Sequence, residues 1–464
     1  MKKAKSAVRL SFFIASVFLL ALVSGVQSFG QSDRELNEVI EKDKSSRDTT
    51  GNLMTLPSDE HLRRADIYMA HRLFPQAREH WQKFIASYPQ NPGLARAYFG
   101  MGRSLMWERD YSGAIIWFDR AIKDFPDTKE GREALAFKGA SYVRLGCNLD
   151  AVKAYQQYII MYPNGERIES AYLNIIDALR EAGKYSDAEL WVKDTVEKFS
   201  NSPASVNALH AQLRMEIYRQ NWTAAITAAD QLLDKNRFSG SMTSRDEVIY
   251  LRFYALKSAG RQQEADQQLS LMSPPLTNYF ANIAQIEAGR PLIKSTSYLA
   301  NRTNDYPVVY KDLILKAAAA KGIDPRFLLS IMKQESSFRP AAKSPAGARG
   351  LLQLVFDTAI KYKDAAGYSG LAPDDLYNPN VNIALGVEYI DFLLKEFGGL
   401  YEGVAASYNA GEDNALRWLK RSKPQKPGIF VSEIGFAETK NYVQKVMLNY
   451  RIYCELYNER LERK

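Results

Sequence analysis

The sequence predicts a mainly α-helical protein that opens with a helical-repeat solenoid and ends in a second domain. Two observations point to the solenoid. Pro89, Pro126 and Pro163 stand 37 residues apart, each behind an aromatic residue, as Tyr88-Pro89, Phe125-Pro126 and Tyr162-Pro163. Ala77, Ala114, Ala151, Ala188 and Ala225 keep the same interval, and so do Gly102 and Gly139. A fixed period of this length means stacked helical hairpins. A third observation bounds the array: the period is lost after about Leu271.

The chain of 464 residues has room for two or three domains. Its first residues read as targeting and not as fold. Lys2, Lys3, Lys5 and Arg9 precede an apolar run from Leu10 to Val23, and small and polar residues follow from Ser24 to Gln31. This is the pattern of a secretory signal peptide, taken as residues 1–28, with 29–57 as a linker. The run is short for a membrane span, which needs about 20 residues; an uncleaved anchor is the competing reading. No cysteine sits near the end of the run, so a lipoprotein processing site is absent, and no later segment reads as a membrane span. The expectation is a soluble exported chain, periplasmic or associated with the cell envelope. Two cysteines, Cys147 and Cys454, lie in different candidate domains and exclude a disulfide framework. Two buried apolar thiols are expected, with a single bridge between them as the competing reading. The net charge of +8 suits an acidic polymer, an anionic lipid or a nucleic acid. Export argues against nucleic acid and for an anionic cell-wall polymer.

The array runs over residues 58–272. Phe74, Tyr111, Tyr185 and Trp222 stand three residues before their alanines, and the register continues to Phe199-Ser200. The alanine lets two helices approach, the aromatic packs beside the crossing, and the proline stops the second helix of each pair. The pattern resembles tetratricopeptide repeats, whose period is about 34 residues. The extra length implies longer loops or helices, and the consensus Trp, Leu-Gly and Tyr positions are only partly filled. Such superhelical arrays present a concave binding surface. A protein partner there and a scaffold that only positions the second domain are both compatible with the pattern. Residues 273–305 form a connecting region, opened by Ser273-Pro274-Pro275 and closed near Asp305-Tyr306-Pro307.

The second domain, residues 306–464, contains no histidine; His61, His71, His80 and His210 all precede it. This excludes a Ser-His-Asp or Cys-His nucleophile system and a histidine-bearing metal site within the domain. Carboxylates remain for acid–base work. Asp324-Pro325 reads as an N-cap followed by proline at the first helical position, with a helix from Phe327 to about Ser336. Leu328, Ile331, Met332 and Glu335 are spaced i, i+3, i+4 and i+7 on one face. Glu335 thus extends an apolar stripe. A carboxyl in apolar surroundings has a raised pKa, and one kept protonated near neutral pH can act as a general acid. The competing reading is a Glu of the last turn that is solvated or bonded to backbone. Asp357, Asp374 and Asp375 lie in turn-like or polar stretches and are expected at the surface.

Further motifs follow in order: Lys343-Ser344-Pro345-Ala346-Gly347-Ala348-Arg349-Gly350, Leu351-Leu352-Gln353-Leu354, Asn378-Pro379-Asn380 with Gly386, Ser407-Tyr408-Asn409-Ala410-Gly411, and Glu438-Thr439-Lys440-Asn441-Tyr442-Val443. This ordered set resembles the catalytic domain of the soluble lytic transglycosylase family, which is similar to goose-type lysozyme. The resemblance implies a mostly helical, lysozyme-like domain preceded by a superhelical array. It implies that Glu335 is the catalytic acid and base, that Ser344 lies near that glutamate and the substrate, and that Gln353 contacts saccharide. Tyr408 would support the reacting sugar and the acid, Asn409 shares its motif, and Glu438 would line the cleft. Tyr442 would serve packing more than chemistry. Leu352, Val355-Phe356 and Ser407 depart from the family pattern, which bears on the shape of a saccharide subsite and not on the chemistry.

The resemblance further implies the reaction. Most glycosidases use two carboxylates; in this family one glutamate protonates the bond between N-acetylmuramic acid and N-acetylglucosamine in peptidoglycan. As a base it then takes the proton of the C6 hydroxyl, closing a 1,6-anhydro ring. No cofactor and no metal are implied. Two rivals stay open: a hydrolytic muramidase on the same fold, with Glu438 the carboxylate to watch, and a non-catalytic peptidoglycan-binding scaffold.

Overall fold

The computed structural model describes residues 28–290 and 302–464. The signal-peptide reading, residues 1–28, lies outside the described residues except at Ser28. Among the described residues the regular elements are helical, and extended pairing is limited to isolated bridges such as Lys343–Arg349 and Arg349–Leu354. No described helix is long and apolar enough to cross a membrane. The chain forms two compact units that meet in sequence at Ala208 and Leu209.

The first unit holds α1 (Ser28–Ser45), α2 (Ser58–Ala70), α3 (Phe74–Ser87), α4 (Leu94–Trp107), α5 (Tyr111–Asp124), α6 (Lys129–Arg144), α7 (Asn148–Met161), α8 (Ile168–Glu181), α9 (Tyr185–Lys198) and the start of α10 (Pro203–Tyr218). Sequence neighbours pack as hairpins, α2 on α3, α4 on α5 and α6 on α7. Ala77, Ala114, Ala151 and Ala188 are fully buried at these crossings. Helices α3, α5 and α7 each end one residue before the aromatic that precedes a proline, and Tyr88, Phe125 and Tyr162 share φ near −130°. A residue before proline is kept out of the α region, so the proline ends each hairpin as the spacing predicts.

Two expectations are corrected here. The segment 29–57 was expected to be a linker, yet it carries α1. Its polar composition hides the stripe Leu36, Val39 and Ile40, which packs into the core of α2 and α3. The thiols were expected to be buried. Cys147 is instead exposed, at the turn that opens α7, and Cys454 is half-buried; both are free.

A buried polar chain closes the first unit. The Leu56 N–H donates to His61 Nε2 at 3.0 Å, which leaves the His61 proton on Nδ1. That nitrogen faces His80 Nδ1 at 3.0 Å, so the His80 proton sits on Nε2, 2.9 Å from Asp43 Oδ2. Tyr68 and Arg64 also donate to the Asp43 carboxylate. One assignment of protons satisfies every contact, and an added proton on either ring breaks one. Burial pushes the His61 imidazole down to about 4, and the nearby His80, Arg64 and Lys83 act in the same direction. Burial alone would raise Asp43; the bonds from His80, Tyr68 and Arg64 overcome it and hold the carboxyl at about 2.

The second unit holds the rest of α10 with α11 (Trp222–Lys235), α12 (Arg245–Ser258), α13 (Gln262–Gln268) and α14 (Tyr279–Glu287), followed by α15 (Lys311–Lys321), α16 (Pro325–Ser336), α17 (Phe356–Tyr362), α18 (Pro379–Glu396), α19 (Tyr401–Ala410), α20 (Glu412–Arg421), α21 (Pro427–Glu433) and α22 (Ala437–Leu456). The compact unit therefore begins well before residue 306. Helices α12 and α14 pack on α21, and α14 also packs on α22. Helix α16 is central, with Phe327, Leu328, Leu329, Ile331 and Met332 buried, and it packs along α22.

The folded pKa of His61 lies below its ordinary 6.5. Its contribution to stability is complete above that value and is lost as pH falls through about 4. Thermal unfolding followed from pH 7 to 4 should show a falling midpoint. His61→Asn, which carries no titrating ring, should flatten that fall; curves that stay parallel would remove His61 as its source.

Candidate active site

The helix that carries Glu335 starts as the sequence predicts. Asp324 caps it by accepting from the Arg326 N–H at 2.9 Å, and Pro325 takes the first position. It ends because Ser337 and Phe338 adopt positive φ, 49° and 64°. Glu335 lies in the last turn, beyond the buried stripe of Leu328, Ile331 and Met332. It is only partly exposed, and its Oε1 accepts a hydrogen bond from the Tyr442 hydroxyl at 2.5 Å. Burial pushes the carboxyl up to about 7, against the lowering effect of the Tyr442 bond. No cation contributes to the balance, so the group is near half-protonated at neutral pH.

A raised carboxyl is not enough to mark the site. Glu402, in the first turn of α19, is also pushed to about 7 by burial. It is sealed, at 3% exposure, under the Tyr279 hydroxyl at 3.1 Å. Glu335 combines the same crowding with an open edge, which a proton donor to an outside molecule needs.

The loop 342–354 is attached directly to the end of this helix. Ser336 Oγ donates to Leu351 O at 2.8 Å. Gly350 N donates to Ala342 O at 2.9 Å and closes the loop on itself. Gly350 has φ of 80°, and a Cβ there would stand 2.1 Å from Leu376 O, so no other residue fits. Asn382, fully buried on α18, fixes the loop from beneath. Its Oδ1 accepts from Leu352 N at 2.8 Å, and its Nδ2 donates to Arg349 O at 3.0 Å and Leu376 O at 2.8 Å. Gly386, one turn further on, leaves room for Leu352, whose Cδ1 would lie 2.2 Å from a Cβ.

The remaining predicted residues fall on this frame. Ser344 Oγ accepts from Ala348 N at 3.0 Å inside the loop, which leaves its own O–H to donate elsewhere. Gln353, held at φ of 47°, spends its amide protons on Ala342 O and Gly350 O, at 3.0 and 2.8 Å. Its visible contacts are with its own loop, and Oε1 is the atom left to face outward. The Tyr408 hydroxyl donates to Leu352 O at 2.9 Å. Burial raises it well above the ordinary tyrosine value, with Glu335 close enough to add to the shift. Asn409 Oδ1 accepts from Thr439 Oγ1 at 2.7 Å and so joins two motifs 30 residues apart. Glu438 is half-buried, and burial raises its carboxyl. Asp357, Asp374 and Asp375 are exposed as expected. The resemblance gave Tyr442 a packing role, whereas its hydroxyl bonds the Glu335 carboxyl itself. Asn382 and Ser336 went unrecognised in the sequence. A polar residue four positions before Gly386, within Val381–Leu385, was the available signal for Asn382.

Comparison with known proteins agrees with this layout. Residues 312–430 match the Transglycosylase SLT domain and residues 62–128 match the Tetratricopeptide repeat. The first match contains Glu335, Ser344, Gln353, Tyr408 and Asn409 and ends before Glu438. The soluble lytic murein transglycosylase of Escherichia coli K12 is 35% identical over 146 residues, 31% of this chain and 22% of the relative. A putative soluble lytic murein transglycosylase of Haemophilus influenzae is 34% identical over 168 residues, 35% of this chain and 27% of the relative. The matched stretch thus spans about a quarter of the length of these two relatives. Among solved structures, an inactive mutant of the lytic transglycosylase Slt from Pseudomonas aeruginosa aligns with a TM-score of 0.53 at 14% identity, covering 91% of this chain and 85% of that one. That likeness is one of fold.

Asn382→Leu removes partners from two buried backbone groups and a part-buried third, and a buried group left unsatisfied costs about 1–3 kcal/mol. Urea unfolding should show a loss on the order of 3 kcal/mol, against less than about 0.5 kcal/mol for Asn380→Ala at the exposed start of the same helix. Equal midpoints for the two variants would mean that the loop is held by something other than Asn382.

Proposed function

We propose that this chain is a peptidoglycan lytic transglycosylase working in the cell envelope, with Glu335 as acid and then base. The observation that carries the reading is the Glu335 carboxyl: crowded, open on one side, without a cation, and pushed up to about 7. Such a group is protonated often enough to donate and basic enough, once ionised, to accept. The substrate is the glycan strand, whose bond between N-acetylmuramic acid and N-acetylglucosamine receives the Glu335 proton on its bridging oxygen. As the C1–O4 bond breaks, positive charge develops on the muramic acid ring, and the substrate's own N-acetyl group shares it. The Glu335 carboxylate, steadied by the Tyr442 hydroxyl, then takes the proton of the C6 hydroxyl while O6 bonds to C1. The acid is restored, a 1,6-anhydro end forms, and no water is consumed.

Ser344, with a hydroxyl proton free of the loop, and the outward Oε1 of Gln353 are the polar groups offered to the saccharide. Tyr408 and Asn409 serve the site by holding Leu352 and Thr439 in place. Glu438 favours one alternative: a second half-buried carboxyl would allow ordinary hydrolysis if it activated a water. Product mass separates the two, because anhydro products are lighter than hydrolysis products by one water. The net charge of +8 suits the anionic wall polymer, and the repeat array is proposed to offer a surface to a protein partner.

Glu335→Gln should lower release of anhydro-muropeptides from purified sacculi by about a hundredfold or more, with an unchanged unfolding midpoint. Equal clearance by variant and wild type would defeat the assignment. Because the acid form is required first, activity should hold below about pH 7 and fall as pH rises through it. Tyr442 favours the ionised carboxyl, so Tyr442→Phe should raise the Glu335 pKa and move the falling limb to higher pH. A limb that moves down, or not at all, would contradict the role given to that hydroxyl.

A further inference from the structure

Helix α22 is held from two sides. Thr439 and Tyr442 reach Asn409 and Glu335. Lys440 lies between them in sequence, and successive helical residues turn by about 100°, so Lys440 and Tyr442 project in nearly opposite directions. Lys440 is buried, at 3% exposure. Its ammonium donates to Glu247 Oε1 at 2.9 Å, Met242 O at 3.0 Å and Ser432 O at 3.2 Å, which accounts for all three protons. Glu247 is itself fixed, in the first turn of α12, where Ser244 caps its N–H at 3.2 Å. His210 Nε2, on α10, stands 2.9 Å from the same Glu247 oxygen. Burial pushes the His210 imidazole down to about 4, so this close contact is made by a neutral ring. Arg214 and Glu433, paired at 2.6 Å, complete the charged surroundings of Lys440.

We propose that Lys440, gripped by Glu247 beside His210, is a positioning residue that sets the rotation and axial register of α22 and so keeps the Tyr442 hydroxyl on Glu335. A buried ion pair adds little stability over well-packed apolar side chains. What it adds is a directional contact. One residue of slip along α22 is about 1.5 Å, enough to break the 2.5 Å bond to Glu335. Apolar packing around α22 would tolerate a smaller rotation, whereas an ammonium with three fixed acceptors does not. The helices that supply Glu247 and His210 lie in the stretch assigned by period to the repeat array, so that part of the array acts as a wall of the catalytic unit.

This inference rests on Glu335 being the working acid, and the experiment separates the two. In the full-length protein, the Glu335 carboxyl is titrated by 13C NMR, with Glu335→Gln identifying its resonance. The pH profile of sacculus digestion is recorded beside it. Lys440→Met should raise the Glu335 pKa in the same direction as Tyr442→Phe, by up to about two pH units, the worth of a hydrogen bond to a charged group. The double variant Lys440→Met/Tyr442→Phe should add nothing further, because both changes remove the same bond. A purely structural role would lower the unfolding midpoint and leave the titration where it was. Unmoved titration in Lys440→Met, or additive shifts in the double variant, overturns the proposal. If Lys440→Met does not fold, Glu247→Gln keeps the acceptor geometry and should shift the titration the same way by less; no shift is again fatal. A titration that moves in Lys440→Met, in a protein whose wild type releases no anhydro products, would leave the positioning intact and sink the proposed reaction.

Discussion

The chemistry proposed for the second unit depends on one constraint: the Glu335 carboxyl is crowded by protein on most sides and answered by a hydroxyl, not by a cation. An arginine or lysine in the place of Tyr442 would pull the carboxyl back toward its ordinary value and leave it ionised at neutral pH. Full exposure would do the same. Glu402 shows the opposite failure, since an equally raised carboxyl sealed beneath Tyr279 has nothing to protonate. The working position lies between these two, and several layers of structure serve to hold it there.

Those layers are mostly backbone. Glu335 sits where its helix ends, and the adjacent Ser336 ties that end to Leu351. The loop beyond is closed by Gly350, fixed from below by Asn382 and from the side by the Tyr408 hydroxyl. Apart from the Gly350 closure onto Ala342, each device acts on a carbonyl or an amide of Arg349, Leu351 or Leu352. The loop is thereby rigid while its outward groups, the Ser344 hydroxyl and the Gln353 carbonyl, stay uncommitted. A site built this way loses little on meeting a substrate, because its own ordering is already complete.

Much of this was legible in the sequence where the signal was local. The 37-residue interval located the hairpins, since one alanine per crossing and one proline per exit must recur at a fixed distance. Asp324-Pro325 announced the helix, and the i, i+3, i+4, i+7 spacing put Glu335 on its apolar face. Signals that depend on distant partners were not legible. Lys440 reads as a surface residue of an ordinary helix until Glu247, 193 residues earlier, is placed beside it. Asn382 reads as one polar residue in an apolar run. Helix α1 was hidden because charged residues outnumber the stripe that packs. The Tyr442 hydroxyl could not be assigned to Glu335, because the contact spans 107 residues and no local pattern encodes it.

That long reach has a consequence for when the protein becomes active. In a chain that has not yet folded, Glu335 is an ordinary carboxylate, ionised at neutral pH and unable to donate a proton. Its carboxyl is raised only once α16 and α22 have packed together and buried it. Closing loops of this length is slow relative to forming the helices themselves. An unfolded molecule therefore lacks the raised carboxyl on which the proposed reaction rests.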